Sequence, residues 1–557
     1  MNIYKKLLIG LVCPLFALSA NAEEKKECYD ADIVVYGGTS GAVVSAIRAA
    51  QSGKKVFLVS PDTNHGAMSS SGLGMTDSGN TAAIGGLSLE FYKRVYAEYQ
   101  KDSNWYAEKR SEFKGYGQGT KAIRDHDKTM WIFEPRIALT VFKNWLAEHP
   151  EIAVHRGEYL DRENGVEKVG KKIKSITTLS GKKYRAKMFI DATFEGDLMA
   201  AAGCKYTVGR ESNAQYGEDF NGYRGTLRQN GHYFTAKVDP YKIKGDKKSG
   251  LLKYVSGEKP PKDGSADRRV QAYNYRLCFT DYAPNRVDLP VPENYNAADY
   301  ELCGRWFEAD PEAFPLIISK MPNGKTDINN KMAFSTDFIG ENYNYPEASY
   351  EERAKIAKAH KDYTLGLFHF WMTDPRTPQK FKDAIKNLWL PKYEFVDTGN
   401  WPFYMYIREA RRMVGEYVLT QHDCQNTKIS PEPIGMGSYT LDSHNTSRFV
   451  DEDGFVQNEG DVQRSIRASG PYQISYGVIV PRKEDCQNLF VTCAVSASHI
   501  AYGSLRMEPV FMVLGHSAAA AAEQCINRDI AVQDADMDDL RDTLVKEKQV
   551  LWLPKKR

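Results

Sequence analysis

The sequence of 557 residues lacks any C-x-x-C pair, and its nine cysteines are scattered along the chain. Zinc and iron–sulfur sites usually take their ligands from such close pairs. We therefore predict no metal site and expect most of the cysteines to be small, buried, apolar side chains. In an oxidising compartment some of them could pair, but their spacing does not show which ones.

Net charge and long apolar runs are also scarce. The formal net charge is only +2, which argues against a nucleic-acid partner. Residues 1–22 combine Lys5 and Lys6, an apolar run at 7–18 and the sequence ANA at 20–22, and this combination predicts a secretory signal peptide. No later run of 18 apolar residues suggests a membrane span. We expect an exported protein, either periplasmic or secreted.

A strand–turn–helix–strand pattern occupies residues 32–61. Ile33–Tyr36 and residues 55–59 are apolar, strand-like runs, and residues 42–52 have helical spacing. The segment between the first strand and the helix, GGTSGA, makes a tight glycine turn. Unpaired N–H groups at such a helix start favour a pyrophosphate, and glycine lets the backbone approach it closely. The pattern predicts a dinucleotide-binding turn.

This turn departs from the usual G-x-G-x-x-G spacing. In one register Tyr36 replaces the first glycine; in the other, Thr39 and Ala42 replace the second and third. The acidic residue expected about 20 positions later for the ribose is missing, because the second strand runs into Ser60 and Asp62 comes two places late. A purely structural turn therefore remains an alternative at this point.

Two later segments share features with this glycine turn. Residues 64–74, NHGAMSSSGLG, hold many small residues, as a backbone passing close to a flat or charged group would; His65 within it is interpreted as a solvated loop histidine. A hairpin is predicted at 172–178 and 184–190, and its second strand leads into DATFEGD at 191–197 and a helix at 198–202. This is a second strand–turn–helix junction.

The rest of the chain suggests a second domain and a second helix start. Residues 206–398 have short apolar runs, with helices predicted at 351–360 and 362–371. Residues 404–420 are predicted as a helix with Arg408 and Arg412 on one face. Such guanidinium groups suit a carboxylate or a developing oxyanion, although a solvated face paired with Glu409 and Glu416 is the alternative. A strand at 488–491 and an irregular loop at 496–509 precede an alanine-rich helix at 510–525, whose positive end faces that loop.

Nine segments over nearly the whole chain resemble the FAD-dependent oxidoreductase family of secreted bacterial proteins. That family is distantly similar to the flavoproteins of succinate dehydrogenase and fumarate reductase. The segments are VVYGGTSGA, GLGMTDSGNTAAIGGL, FEPRIA, FIDATFEGDLMAAAG, YTVGRE, MPNGKTDINN, YIREARRMVGEYVLTQHDC, GMGSYTLDSH and SASHIAYGSLRMEPVFMVLG.

The resemblance implies an α/β fold. It would consist of a Rossmann-like, glutathione-reductase-type FAD-binding domain at 28–204 and 431–545, with an inserted α+β substrate or cap domain at 205–430. The helix start near Glu508 would face the flavin pyrimidine edge, where its positive end stabilises the anionic reduced ring. The implied FAD-binding residues are Gly37, Gly38, Thr39, Ser40, Gly41 and Ala42 in the first turn, Ser60 and His155 at the ends of two strands, Gly66, Ala67, Met68, Ser71 and Gly72 in the following loop, Ala192, Thr193, Gly196 and Asp197 in the second turn, and Ser504, Arg506 and Glu508 near the last helix.

The expected activity is hydride transfer between flavin N5 and a small organic substrate, such as a sugar or a sugar acid. The direction of the reaction, the electron acceptor and the oligomeric state are not readable from the sequence. A non-catalytic carbohydrate-binding or scaffold protein on a degenerate flavoprotein fold is the main alternative, and a nicotinamide enzyme is a third. The catalytic candidates are His499, Arg506, Arg408, Arg412 and His444.

Overall fold

The structure is a computed structural model that describes residues 27–117, 119–227, 231–466 and 469–553. The predicted signal peptide at 1–22 lies outside the described residues. Within the described part of the chain, every helix is too short or too polar to cross a membrane. The predicted domain boundaries at 204/205 and 430/431 stay predictions.

A five-stranded parallel sheet lies at the centre of the α/β fold. Its strand sequences, such as IVVY and VFLVS, are apolar throughout, as expected for strands that are covered on both faces. The last strand in the chain pairs with Met188–Asp191, so residues from both ends of the sequence build one sheet. The Rossmann-like α/β architecture is confirmed. The strand order is Leu489–Val491, Met188–Asp191, Ile33–Tyr36, Val56–Ser60 and Ile152–Arg156.

Two helices pack closely beside this sheet. Ser40–Gln51 follows the first strand, and Thr39 caps it by accepting the Ala42 N–H at 3.1 Å. The alanine-rich helix Glu508–Arg528 crosses it at Gly515, where an added Cβ would overlap the Gly41 carbonyl oxygen. Glycine is therefore needed at this crossing, since neither backbone can move away without disturbing the sheet contacts.

The remaining elements surround this core. The other helices are Ala67–Ser70, Gly86–Glu98, Pro135–Ala147, Asp197–Ala201, Asn213–Tyr216, Glu301–Ala309, Tyr350–Thr373, Gln379–Ile385, Gln421–Cys424, His499–Leu505 and Met537–Lys546. A four-stranded sheet has the order Cys28–Asp30, Lys183–Arg185, Lys172–Thr177 and Val166–Val169, and a three-stranded sheet has the order Leu277–Thr280, Lys325–Asn330 and Leu316–Met321. Strand pairs are Tyr206–Val208 with Arg411–Met413, Arg286–Val287 with Leu390–Pro391, Pro433–Gly437 with Tyr472–Ser475, Leu441–Ser443 with Val462–Arg464, Ser447–Val450 with Val456–Glu459, Tyr116–Gly117 with Thr120–Lys121, and Ile123–Arg124 with Thr129–Met130.

Three of the predicted elements differ in extent from those observed. The strand predicted at 184–190 is divided between two sheets, because the N–H groups of Lys187 and Met188 both donate to the Asp32 carbonyl and redirect the chain. Two helices predicted at 351–360 and 362–371 are the single helix Tyr350–Thr373. The irregular loop predicted at 496–509 contains the helix His499–Leu505, which Ser498 caps.

The helix predicted at 404–420 was wrong. Arg411–Met413 is instead a strand, antiparallel to Tyr206–Val208. In an extended backbone successive side chains point to opposite sides, so Arg411 reaches Asp197 while Arg412 reaches Glu211. Each buried guanidinium group thereby obtains a carboxylate, which one helical face could not provide.

Candidate cofactor and substrate site

The glycine turn lies against the second strand–turn–helix junction. Gly37 has a φ of +132°, and a Cβ there would stand 2.5 Å from the Ala192 carbonyl oxygen. The same oxygen accepts the Thr39 hydroxyl at 2.8 Å. Tyr36, which breaks the motif, is directed to the other side of the sheet, where its hydroxyl accepts the Leu160 N–H at 2.9 Å. The tyrosine therefore leaves the turn itself unobstructed.

The acidic residue judged missing from the motif lies beside this turn. A Cβ on Gly38 would meet Asp62 Oδ2 at 2.5 Å and Ser60 Oγ at 2.7 Å. Burial and the nearby Glu195 carboxylate raise the pKa of Asp62. Asp62 and Ser60 thus stand at the carboxyl end of the strand Val56–Ser60, where the acidic residue of a dinucleotide-binding motif is expected. Asp62 was not recognised in the sequence because it comes two positions later than the motif predicts.

The second turn is held by its own side chains. Thr193 donates both its N–H and its hydroxyl to Asp191, at 3.0 and 2.7 Å, and its hydroxyl oxygen accepts the Gly196 N–H at 3.0 Å. Asp197, predicted to contact the cofactor, is instead surrounded by guanidinium groups and accepts two hydrogen bonds from Arg353. Ala192 and Thr193 face the glycine turn, whereas the Asp197 carboxylate is used in ion pairing.

The loop after the second strand enters the same region. Its short helix Ala67–Ser70 includes Met68, and Gly72 lies against the Arg276 carbonyl. Ser71 Oγ accepts the Tyr404 N–H at 2.8 Å. His65, interpreted as a solvated loop residue, is only 1 % exposed, and burial lowers its pKa to about 3. The interpretation of a solvated histidine was wrong, because the loop is covered rather than exposed.

Glu508 joins the three predicted cofactor segments. It lies in the first turn of the alanine-rich helix and accepts hydrogen bonds from Ser40 Oγ at 2.6 Å and Ser69 Oγ at 3.0 Å. Burial raises its pKa to about 7 in spite of these two donors. The glycine turn, the small-residue loop and the last helix therefore meet at one carboxyl group.

A small cavity of about 10 Å³, enough for the centre of one water molecule, lies next to this junction. Its walls combine apolar side chains with a charged side that holds Asp77, Arg408 and Arg506. Such a mixture suits a ligand with a flat apolar part and a polar edge. The lining residues are Met68, Leu73, Asp77, Phe194, Tyr406, Ile407, Arg408, Arg506, Met507, Glu508 and Phe511.

Two predicted arginines line this cavity and lie near one tyrosine ring. The guanidinium groups of Arg408 and Arg506 lie 4.7 and 5.6 Å from the Tyr406 ring centroid. Arg408 pairs with Asp337 at 3.0 Å, and Arg506 pairs with Asp442 at 3.0 Å and donates to the Tyr406 hydroxyl at 2.7 Å. Within the described residues, neither Nε–H group has a hydrogen-bond partner. Two buried donors are therefore left for a ligand.

The other three catalytic candidates stand behind or beside the cavity. His444 contacts Asp337 through Nδ1 at 2.8 Å, and burial together with Arg408 lowers its pKa to about 4, so it is neutral at pH 7. His499 is held between Glu409 at 2.8 Å and Ser443 Oγ at 3.0 Å. Arg412 pairs with the same Glu409 at 2.7 Å. The structure thus brings Arg408, Arg506 and His444 together and places His499 and Arg412 in a neighbouring network.

Two predicted cofactor residues are engaged elsewhere. His155 contacts the Tyr184 hydroxyl through Nδ1 at 2.8 Å and packs edge-on against Tyr29. Ser504 donates to the Tyr439 carbonyl at 2.5 Å from within the helix His499–Leu505. Neither side chain lines the cavity.

The sequence analysis missed two polar residues of the cavity. Asp77 was inside the family-like segment GLGMTDSGN but was not chosen; burial raises its pKa to about 6, although Arg276 and Arg506 oppose the shift. Tyr406 lay in the segment predicted as a helix, which concealed its position close to both arginines. A polar residue within a glycine-rich, family-like segment was the available signal for Asp77.

Comparisons with known proteins give a family and several distant folds. A family model described as FAD dependent oxidoreductase matches residues 32–544. A comparison with curated proteins finds no significant match. Among solved structures, a quinol fumarate reductase FrdA mutant from E. coli aligns at 11 % identity over 94 % of this chain and 74 % of its own, with a TM-score of 0.32. A geranylgeranyl bacteriochlorophyll reductase-like protein from Thermoplasma acidophilum aligns at 10 % identity over 94 % and 85 %, with a TM-score of 0.31.

A third solved structure aligns over a shorter region. GidA from Aquifex aeolicus aligns at 16 % identity over 29 % of this chain and 25 % of its own, with a TM-score of 0.19. The aligned region thus spans about a quarter of that protein's length.

Proposed function

The chain belongs to the FAD-dependent oxidoreductase family, and we propose from this premise that it transfers a hydride between FAD and a small organic acid, such as a sugar acid. Because this family consists of FAD enzymes, membership argues against the non-catalytic and the nicotinamide alternatives. The observation that carries the choice of an acid is the pair of buried, unpartnered Nε–H donors on Arg408 and Arg506.

The described residues fit the cofactor. Gly37 and Gly38 lie where a Cβ would meet Ala192, Ser60 and Asp62, and a backbone without side chains is what a turn that approaches a pyrophosphate requires. Asp62 and Ser60 are proposed to hold the ribose end, and the helix start at Glu508 is proposed to face the ring end. When bound, FAD supplies the two-electron acceptor or donor for the reaction.

An anionic substrate group would satisfy the arginine pair. A buried donor without a partner costs free energy, and a carboxylate can accept hydrogen bonds from two guanidinium groups at once. A neutral sugar would offer these donors only hydroxyl oxygens, which are weaker hydrogen-bond acceptors than a carboxylate. Arg408 and Arg506 are therefore proposed to bind and orient the acid group over Tyr406, with neutral His444 supporting Asp337 behind Arg408.

Asp77 is proposed to move the substrate proton. It lines the same cavity, and with a pKa of about 6 it is largely ionised at neutral pH. An ionised carboxylate with a pKa near the working pH suits a general base. Asp77 would accept the hydroxyl proton as an alcohol carbon becomes a carbonyl carbon, and it would return that proton in the reverse direction.

Export is proposed from the signal-like residues 1–22. The intact mass of the protein purified from its native host tests this part by itself. We expect a chain that begins after Ala22, and a full-length chain would contradict export.

The substrate proposal is tested by reduction of the bound flavin. The purified holoenzyme is mixed anaerobically with matched pairs of sugar acids and neutral sugars, and loss of the yellow absorbance is followed in time. We expect acids to bleach the flavin and neutral sugars to do so far more slowly. Equal rates for the two members of a pair would refute the proposal.

The role of Arg506 is tested by substitution. Arg506→Gln should lower kcat/KM for the acid by about 10- to 100-fold, as expected for loss of a charged hydrogen bond. Arg506→Lys should restore part of this loss. Arg464→Gln removes an exposed guanidinium group outside the cavity and is the control. FAD content is measured in each variant, so that loss of cofactor is not taken for loss of substrate binding.

A further inference from the structure

Two buried thiols lie side by side at one face of the central sheet. Cys204 follows the helix Asp197–Ala201, and Cys486 precedes the strand Leu489–Val491. Their residues are 4 % and 0 % exposed, and both belong to the same buried apolar cluster. Both are free thiols in the structure.

The backbone around the two thiols is held in register. The Lys205 N–H donates to Asp485 Oδ2 at 3.1 Å. The Lys168 ammonium group bridges the two segments by donating to the Ala202 carbonyl at 2.7 Å and the Asp485 carbonyl at 2.8 Å. Residues directly next to each cysteine are therefore tied together, and the thiols have little freedom to separate.

The two thiols also influence each other's titration. The neighbouring Cys204 lowers the pKa of Cys486 to about 7, and Cys486 raises the pKa of Cys204, which agrees with a close approach of the two side chains. Both thiols are buried in the folded chain, so an external oxidant reaches them only before folding is complete.

We propose that Cys204 and Cys486 are a disulfide-forming pair that is oxidised by thiol–disulfide exchange during folding, before the two thiols are buried. The Cys486 thiolate attacks one sulfur of a disulfide oxidant and expels a thiolate, which leaves a mixed disulfide on Cys486. Cys204 loses its proton and attacks Cys486 Sγ, and the second thiolate of the oxidant leaves. Two protein thiols are oxidised, one external disulfide is reduced to two thiols, and the two protons pass to those products.

The bond would join the two separated parts of the predicted FAD-binding domain. Residues 205–485 lie between the two cysteines, and the strands Met188–Asp191 and Leu489–Val491 that they flank are neighbours in the sheet. A cross-link over such a long loop restricts the unfolded chain strongly. The cysteine pair takes no part in substrate or FAD chemistry, so this proposal and the proposed function can be refuted independently of each other.

The test uses the mature full chain, refolded in a buffer of reduced and oxidised glutathione. Free thiols are alkylated under denaturing conditions and counted by intact mass, and a non-reducing peptide map identifies the linkage. Of the eight cysteines in the described residues we expect six to be alkylated, with the Cys204 and Cys486 peptides joined. Eight alkylated cysteines, or a linkage between other cysteines, would overturn the proposal.

Variants provide the second readout. The oxidised wild type should unfold at a higher temperature than the reduced wild type, and dithiothreitol should reverse the difference. Cys204→Ser should abolish the linked peptide and the redox-dependent shift. Cys525→Ser alters another buried cysteine and should keep both. If a variant does not fold, the peptide map of the wild type decides the question alone.

Discussion

Replacing Asp197 with asparagine should destabilise the protein without acting first on the cofactor. Asp197 is 4 % exposed and accepts hydrogen bonds from Arg353 at 2.6 and 2.9 Å, from Arg411 at 2.8 Å and from Arg162 at 3.3 Å. These arginines come from three separate parts of the chain. Asp197→Asn keeps the size of the side chain and removes the charge that they share.

The expected cost is large because two of the guanidinium groups are buried. Removing one partner of a buried ion pair costs about 3–5 kcal/mol, since the remaining charge stays uncompensated. Arg411 keeps Glu347 at 2.8 Å and Arg353 keeps the Tyr345 and Pro346 carbonyls, so we expect the lower half of that range. Arg162→Gln removes a partly exposed partner of the same carboxylate and should cost about 0–1 kcal/mol.

The pH dependence gives a second check. Burial alone would raise the pKa of Asp197, but the guanidinium groups, foremost Arg353, hold it below the ordinary value of 3.8. A depressed carboxyl pKa contributes stability that is complete above the unfolded-state pKa and is lost as the pH falls through the folded-state pKa. The difference between wild type and Asp197→Asn should therefore be constant from pH 5 to 8 and shrink below pH 4.

The assay is urea unfolding of both proteins, with and without FAD, followed by tryptophan fluorescence. A lower midpoint in both forms supports the ion-pair role. If Asp197→Asn leaves the urea midpoint of the FAD-free protein unchanged and weakens FAD binding, this reasoning is refuted and a cofactor contact of Asp197 is supported.

Three further predictions concern the junction of the glycine turn and the last helix. The raised pKa of Glu508 means that the neutral carboxyl is favoured by folding, so stability from this group is complete below the unfolded-state value of 4.5 and falls as the pH rises towards about 7. The free energy of unfolding of the FAD-free protein, measured with urea at pH 5 and 8, should therefore change by roughly 2.5 kcal/mol more in the wild type than in Glu508→Gln, and equal changes would contradict the burial of this group. Gly515→Ala places a Cβ against the Gly41 carbonyl oxygen, and its thermal unfolding should show a loss of about 1–3 kcal/mol; an unchanged melting temperature would show that the helices can separate. Asp62→Asn should weaken FAD binding by about 3- to 10-fold, as loss of one hydrogen bond does, when titrated by flavin fluorescence, and equal affinity would show that Asp62 does not contact the ribose.

Much of the nucleotide-binding half could be predicted from local pattern. Ile33–Tyr36 and Val56–Ser60 are apolar throughout, and the helix between them starts at a glycine turn, so strand, turn and helix follow from neighbouring residues alone. The same local logic failed at 404–420. Arginines four apart suit a helix in isolation, but Arg408 and Arg412 find Asp337 and Glu211, which lie far away in the chain.

The sequence by itself determined the α/β class, the dinucleotide turn and the family, because each depends on residues adjacent in the chain or on segments that are recognised whole. Only the tertiary structure decided that Asp62 lies beside the glycine turn, that Asp77 and Tyr406 belong to the cavity, and that Asp197 serves as an ion-pair centre. The physical reason is that a buried charge is stable only beside a specific partner. That partner is selected by the packing of distant segments, which no local spacing records.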